Sequence, residues 1–171
     1  NVYVGHGDYK ISTSAKEPEW RSPDQIVKQI EMIRKMPQID GSMHFTASTF
    51  LKKGDTLRNP LLQKEYKYIA LAPEANRITR LKPEPPTNAV IVKKGDKAVL
   101  TWKAALNDKK YVIYRFPKGK ITDFSNPQNI YYVTTALKLE VPNPDLENYV
   151  YALTALSQTQ TESSPIEFST K

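Results

Sequence analysis

The sequence predicts an α+β chain of two domains, a short mixed α/β part followed by an all-β sandwich. Three observations carry this. Strand-like and helix-like runs alternate over the first 73 residues, prolines crowd around residues 83–86, and short apolar/polar alternations between turn signals fill the rest. The clearest alternation, YVYALTAL at 149–156, sets Tyr149, Tyr151, Leu153 and Ala155 on one face of a strand. Polar residues 157–164 then read as a turn before Ile166 resumes, which makes a hairpin.

Taken in order, Val2, Tyr3 and Val4 form a β-prone run ending at Gly5-His6-Gly7, and a long polar loop leads to Ser22. Ser22 is a good N-cap, Pro23 suits the first helical position and Gln25 completes a capping-box pattern. Ile26, Val27, Ile30, Ile33 and Met36 then share one helical face, and Pro37 stands where the helix should stop. GSMHFT at 41–46 reads as a second strand with Met43 and Phe45 on one face, so that His44 points the other way and takes a structural role. Gly54-Asp55 and Asn59-Pro60 offer alternative starts for a second helix carrying Leu57, Leu61, Leu62 and Tyr66, before an extended stretch over 68–73. Strand, helix, strand, helix is the pattern of two βα units with parallel strands.

Composition shifts to Arg, Lys and Pro over 76–86, a semi-rigid linker. Beyond it, runs at 89–92 and 98–102 flank the turn signal Lys94-Gly95-Asp96, and further strands are predicted at 111–116, 130–134 and 137–141. With the hairpin these make seven short strands, enough for a β-sandwich. Thirteen prolines against six glycines predict short elements with stiff connections rather than long helices.

Composition also narrows the function classes. The formal charge of +7 is spread along the chain, with 14 Lys+Arg against 9 Asp+Glu in residues 1–83 and 11 against 9 in residues 84–171. No basic run exceeds a pair, so a solvated lysine surface explains the charge better than nucleic acid does. Without cysteine there is no disulfide, thiolate metal site or cysteine nucleophile, and His6 and His44 alone do not build a His-rich metal site. No metal and no cofactor is expected. No apolar run approaches the ~20 residues of a membrane span. No signal peptide is visible, and the chain begins at Asn1 rather than Met, which is expected of a processed or excised piece.

Two resemblances add to this. VYVGHGDYKI at 2–11, Trp20 ahead of SPDQIVKQI at 22–30, GSMHFTAS at 41–48 and the closing LRN and YIALAP runs resemble the end of a bacterial glycosyl-hydrolase-like TIM-barrel family often found on lipoproteins. The resemblance implies that residues 1–75 are the last two βα units of a partial (β/α) barrel, with a fibronectin type III domain after the linker. The Tyr-x-Tyr-x-Leu-x-Ala spacing at 149–155, the Glu162-Ser163-Ser164-Pro165 turn and Trp102 on the second strand of the sandwich resemble that second domain, at 87–171. There Tyr149 would be the corner tyrosine bonded to upstream backbone.

In a TIM barrel the chemistry sits at the C-terminal ends of the strands. The resemblance therefore singles out His6, Asp8, Tyr9 and Lys10 after the first strand and Thr46 and Ser48 after the second. Glycoside hydrolysis needs two carboxyl groups about 5 to 9.5 Å apart. Asp8 is the carboxylate close behind a strand end and so the catalytic candidate, against the plainer reading of a loop Asp bonded to local backbone. Sugar rings stack C–H faces on aromatic planes while their hydroxyls bond to polar neighbours, so His6, Tyr9 and Trp20 suit a substrate-binding rim. Trp20 equally suits packing on the helix that follows. Tyr114, Tyr131 and Tyr132 would offer a second carbohydrate platform if they were exposed on the sandwich.

The resulting expectation is the C-terminal piece of a secreted, extracytoplasmic glycoside hydrolase acting on polysaccharide or oligosaccharide, itself inactive because the remaining catalytic groups lie on earlier strands. The alternative is a non-catalytic carbohydrate-binding or adhesion protein with a small α/β domain of its own. Val2, Val4, Met43, Phe45 and the apolar helix face would, in an incomplete barrel, seek cover from the sandwich or a second copy of the chain.

Overall fold

The computed structural model describes residues 2–74, 82–104, 106, 108, 110–120 and 122–170, apart from the Lys53 side chain. Most of the expected linker at 76–86 thus lies outside the described residues. The chain separates into two compact units, 1–67 and 68–171.

In the first unit, β1 (Tyr3–His6) and β2 (Gly41–His44) pair in parallel, Tyr3 opposite Gly41 and His6 opposite His44. Gly41 lets Tyr3 lie close over it, since a Cβ there would stand 3.1 Å from the exposed Tyr3 ring, which would have to shift slightly. Helix α1 (Asp24–Ile33) connects the strands and α2 (Ala47–Gln63) follows. Helix α1 begins one residue later than expected, with Pro23 rather than Ser22 at its N-cap position; Ser22 still accepts at its hydroxyl from the Asp24 amide and at its carbonyl from the Gln25 amide, both at 3.2 Å.

Helix α2 departs from expectation. It is a single 17-residue helix that begins just after Thr46 and runs through both Gly54 and Pro60. Its apolar Leu57 and Leu61 pack with Ile26, Val27, Ile30 and Ile11, and Trp20 and Phe50 lie against this cluster. Tertiary burial outweighs the local cost of a glycine and a proline inside the helix.

The expected partial (β/α) barrel is corrected by this arrangement. Among the described residues β1 and β2 pair with each other and with no third strand, and these residues form three sheets and are mainly β. Alternation of strand and helix specifies parallel neighbours, but neither their number nor their closure. The burial pattern agrees, because the apolar stripe of α1 is covered by α2 and Ile11 rather than spread over a curved sheet. Met43 and Phe45 remain 63% exposed. The helix face expected to await absent strands is therefore covered within its own unit.

The second unit contains two four-stranded sheets. One has the order β10-β3-β4-β7, built from β3 (Thr87–Lys94), β4 (Lys97–Lys103), β7 (Lys138–Pro142) and β10 (Ser169–Thr170). The other has the order β6-β5-β8-β9, from β5 (Lys110–Pro117), β6 (Ile130–Thr134), β8 (Tyr149–Leu156) and β9 (Ile166–Glu167). The seven predicted strands are present and β10 is added, pairing in parallel with β3. Gly95, at φ +57°, makes the β3–β4 turn in a conformation that a side chain would resist.

Between the sheets lie Leu100, Trp102, Tyr111, Ile113, Tyr151, Leu153 and Ala155, with Tyr149 and Phe168 against them. Period-two alternation thus sends the odd-numbered residues of β8 inward, as predicted. The even-numbered side is also covered: Val112, Tyr114, Phe116, Ala152 and Leu156 form a further cluster with Leu71, Phe124, Ile130 and Val133. Both faces of this sheet are apolar, and the platform expectation fails for Tyr114, which is fully buried. Tyr131 is half-buried against Tyr151 and under Arg115, which leaves Tyr132 as the exposed member.

The bond to upstream backbone expected of Tyr149 is not seen among the described residues. Tyr151, not Tyr149, donates its hydroxyl upstream, and to the Asp145 carboxylate (3.3 Å) rather than to backbone. Arg115 lies between the Tyr131 and Tyr149 rings, 4.5 and 4.3 Å from their centroids, and pairs with the same Asp145 at 2.9 Å.

Candidate functional site

Parallel strands end together, so side chains at their carboxyl ends gather beyond the sheet. His6 and His44 are the last residues of β1 and β2 and face each other in register, with ring centroids 5.3 Å apart. Just after β1 the chain turns through a 3₁₀ segment, Asp8–Lys10, which folds the Asp8 carboxylate back beneath the strands and fully buries it. Asp8 accepts from His44 Nδ1 at 3.0 Å, not from local backbone. A carboxylate accepts only, so Nδ1 of His44 carries the proton; in the neutral ring Nε2 then accepts from the Tyr66 hydroxyl at 2.8 Å. His6 donates from Nδ1 to Gln29 Oε1 at 3.0 Å. His6 Nε2 and Asp8 Oδ2 are buried with no hydrogen-bond partner among the described residues.

Above these groups opens a cleft of about 690 Å³, lined by Gly5, His6, Gly7, Tyr9, Lys10, Trp20, Gln29, Met43, His44 and Phe45. Its walls are aromatic. Tyr9 meets Phe45 edge-on at 6.1 Å, and Trp20 packs on the core cluster with the Lys10 ammonium 5.1 Å from its ring centroid. The structure thus brings His6, Tyr9 and Trp20 into one cleft and sets Asp8 beneath it. Thr46 and Ser48 bond to each other at 2.5 Å at the start of α2 and do not line the cleft.

Four participants are not evident from sequence reasoning. Strand alternation gives His44 a structural role, yet at the end of a short strand its ring turns over the Asp8 carboxylate. Gln29 and Tyr66 carry no signal beyond their helical positions, and for Phe45 the place just past a strand end is the one mark. Among the described residues no three His, Asp or Glu side chains are grouped to hold a metal ion. No described helix is long and apolar enough to cross a membrane.

Similarity to known proteins is limited. The chain is similar to the glycosyl hydrolase YngK of Bacillus subtilis (strain 168), 24% identical over 177 residues covering 100% of this chain and 34% of that protein. It therefore spans about a third of the length of the curated relative it matches. No family model matches. Among solved structures, FN3tt is 20% identical with a TM-score of 0.40, covering 52% of this chain and 95% of that one. A Fn3-like protein from Clostridium thermocellum is 21% identical with a TM-score of 0.37, covering 52% and 94%.

Proposed function

We propose that the chain is a carbohydrate-binding part of a longer glycoside-hydrolase-like protein that acts on polysaccharide, and that its cleft holds sugar without cleaving a glycosidic bond alone. The observation that carries this is the cleft beyond β1 and β2, where Tyr9, Trp20 and Phe45 stand over the polar edges of His6, His44 and Gln29. Aromatic walls beside a few convergent polar groups match a sugar's C–H faces and hydroxyls. The similarity to a glycosyl hydrolase supports the same substrate class. Residues 1–75 would act as the sugar-contacting domain and 87–171 as a separate sandwich, with the polymer met outside the cytoplasm.

Absence of hydrolysis is proposed because two carboxyl groups are needed, while Asp8 is buried and bonded to His44. No carboxylate is among the residues lining the cleft.

Oligosaccharide titration followed by tryptophan fluorescence tests the binding reading. Trp20→Ala should weaken binding by about 1 to 3 kcal/mol while the chain stays folded. An unchanged affinity with a lowered melting temperature would show that Trp20 only packs. A panel of aryl glycosides should show no turnover, and turnover that Asp8→Asn abolishes would overturn the non-catalytic half.

A further inference from the structure

Lys10 occupies a particular place in this cleft. It is the charged residue among those lining it, and among the described residues it has no carboxylate partner. Its stem runs over Gly7, with Cδ 3.4 Å from where a Gly7 Cβ would stand, and this delivers the ammonium to the Trp20 ring. Trp20 is packed against the Ile26 and Val27 cluster and covered by Lys10. A sugar ring that stacks on Trp20 must therefore displace a cation from an aromatic face.

We infer that Lys10 makes the cleft selective for acidic sugars, uronates above all, by exchanging its contact with the Trp20 ring for an ion pair with the ligand's carboxylate. The inference rests on the carbohydrate reading above and adds the substrate class. A neutral sugar that takes the Trp20 face forfeits the cation–π contact and puts nothing in its place. An acidic sugar offers the displaced ammonium a charge-assisted hydrogen bond at the mouth of a partly desolvated cleft. Asp8, the nearby carboxylate, is not among the lining residues and is buried against His44.

The test compares mixed oligomers of mannuronate, galacturonate and glucuronate with the same oligomers after carboxyl reduction, which keeps ring and linkage and removes the charge. On the 171-residue chain in low salt, the acidic forms should bind about tenfold tighter. The gap should narrow at roughly 0.5 M salt, where a partly exposed ion pair is screened. Lys10→Gln should lower the affinity for acidic oligomers about tenfold, leave or slightly raise that for reduced ones, and keep the melting temperature. Equal binding of both forms, still lost on Trp20→Ala, would overturn the acidic selectivity and leave the carbohydrate reading standing. A preference for acidic forms that survives in Lys10→Gln would overturn the role of Lys10. Binding of neither form would overturn this inference and the carbohydrate reading together.

Discussion

Two side chains show how a single residue sets the stability of the sandwich. Trp102 is 4% exposed, with ring centroids 5.5 Å from Tyr111 and 5.9 Å from Phe168. Trp102→Ala should cost about 3 to 5 kcal/mol in urea unfolding, since neighbours from both sheets would surround the void. Tyr114 is buried on the other side of the sheet beside Phe116 and Phe124, and its hydroxyl donates to Glu162 at 2.8 Å, where Thr154 also donates at 2.5 Å. Burial first, then the bond to Glu162 and its charge, raise the Tyr114 pKa well above 10.0. The folded state thus binds this proton more tightly than the unfolded state does. Its contribution is intact below about pH 10 and declines as pH rises beyond it. Tyr114→Phe should cost about 1 to 2 kcal/mol near neutrality. It should also make the alkaline loss of stability shallower than in the unsubstituted chain, as unfolding curves at several pH values would record; an unchanged alkaline slope would contradict this.

Among the elements, α2 carries the most local conflict. Gly54 lies in its interior, and a Cβ added there would meet nothing within 4 Å, so a methyl group has open space. Gly54→Ala should therefore stabilise the first unit by about 0.5 to 1 kcal/mol, through lower unfolded-state entropy alone. A drop in the thermal midpoint would mean that the backbone at this point needs glycine. In the second unit, β8 is the organising strand: β5 pairs along its whole length and β9 joins its other side. The Arg115 stack between Tyr131 and Tyr149, tied through Asp145 to Tyr151, links β5, β6 and β8 at one end of the sheet.

At the scale of the whole chain, the division into units falls at 67/68, ahead of the proline-rich stretch. Leu71 shows why. It packs on the cluster of Val112, Tyr114 and Phe116, so the segment before the sandwich covers part of its outer face. Residues 68–171 expressed alone should unfold in one cooperative transition, and at a higher temperature than residues 87–171, which lack that cover. Equal melting temperatures would show that Leu71 contributes nothing, and no cooperative transition in either piece would refute an independent sandwich.

What the sequence determined by itself is local and periodic. The apolar stripe of α1, the turn at Gly95 and the inward face of β8 follow from local turn residues and from spacings of two and of three to four residues, which backbone geometry converts directly into faces. It also placed His6, Tyr9 and Trp20 around one strand end. Tertiary structure decided the rest. Alternating strands and helices leave the number of strands in a sheet open, and here two strands of four residues pair while the two helices bury each other's apolar faces. Burial held α2 together through Gly54 and Pro60 against local propensity. Pairing across the sequence brought His44 to Asp8, 36 residues away, and Tyr66 to His44, 22 residues away. No local pattern encodes such contacts, because they depend on where the parallel register ends and on which side chains the helices leave beside it.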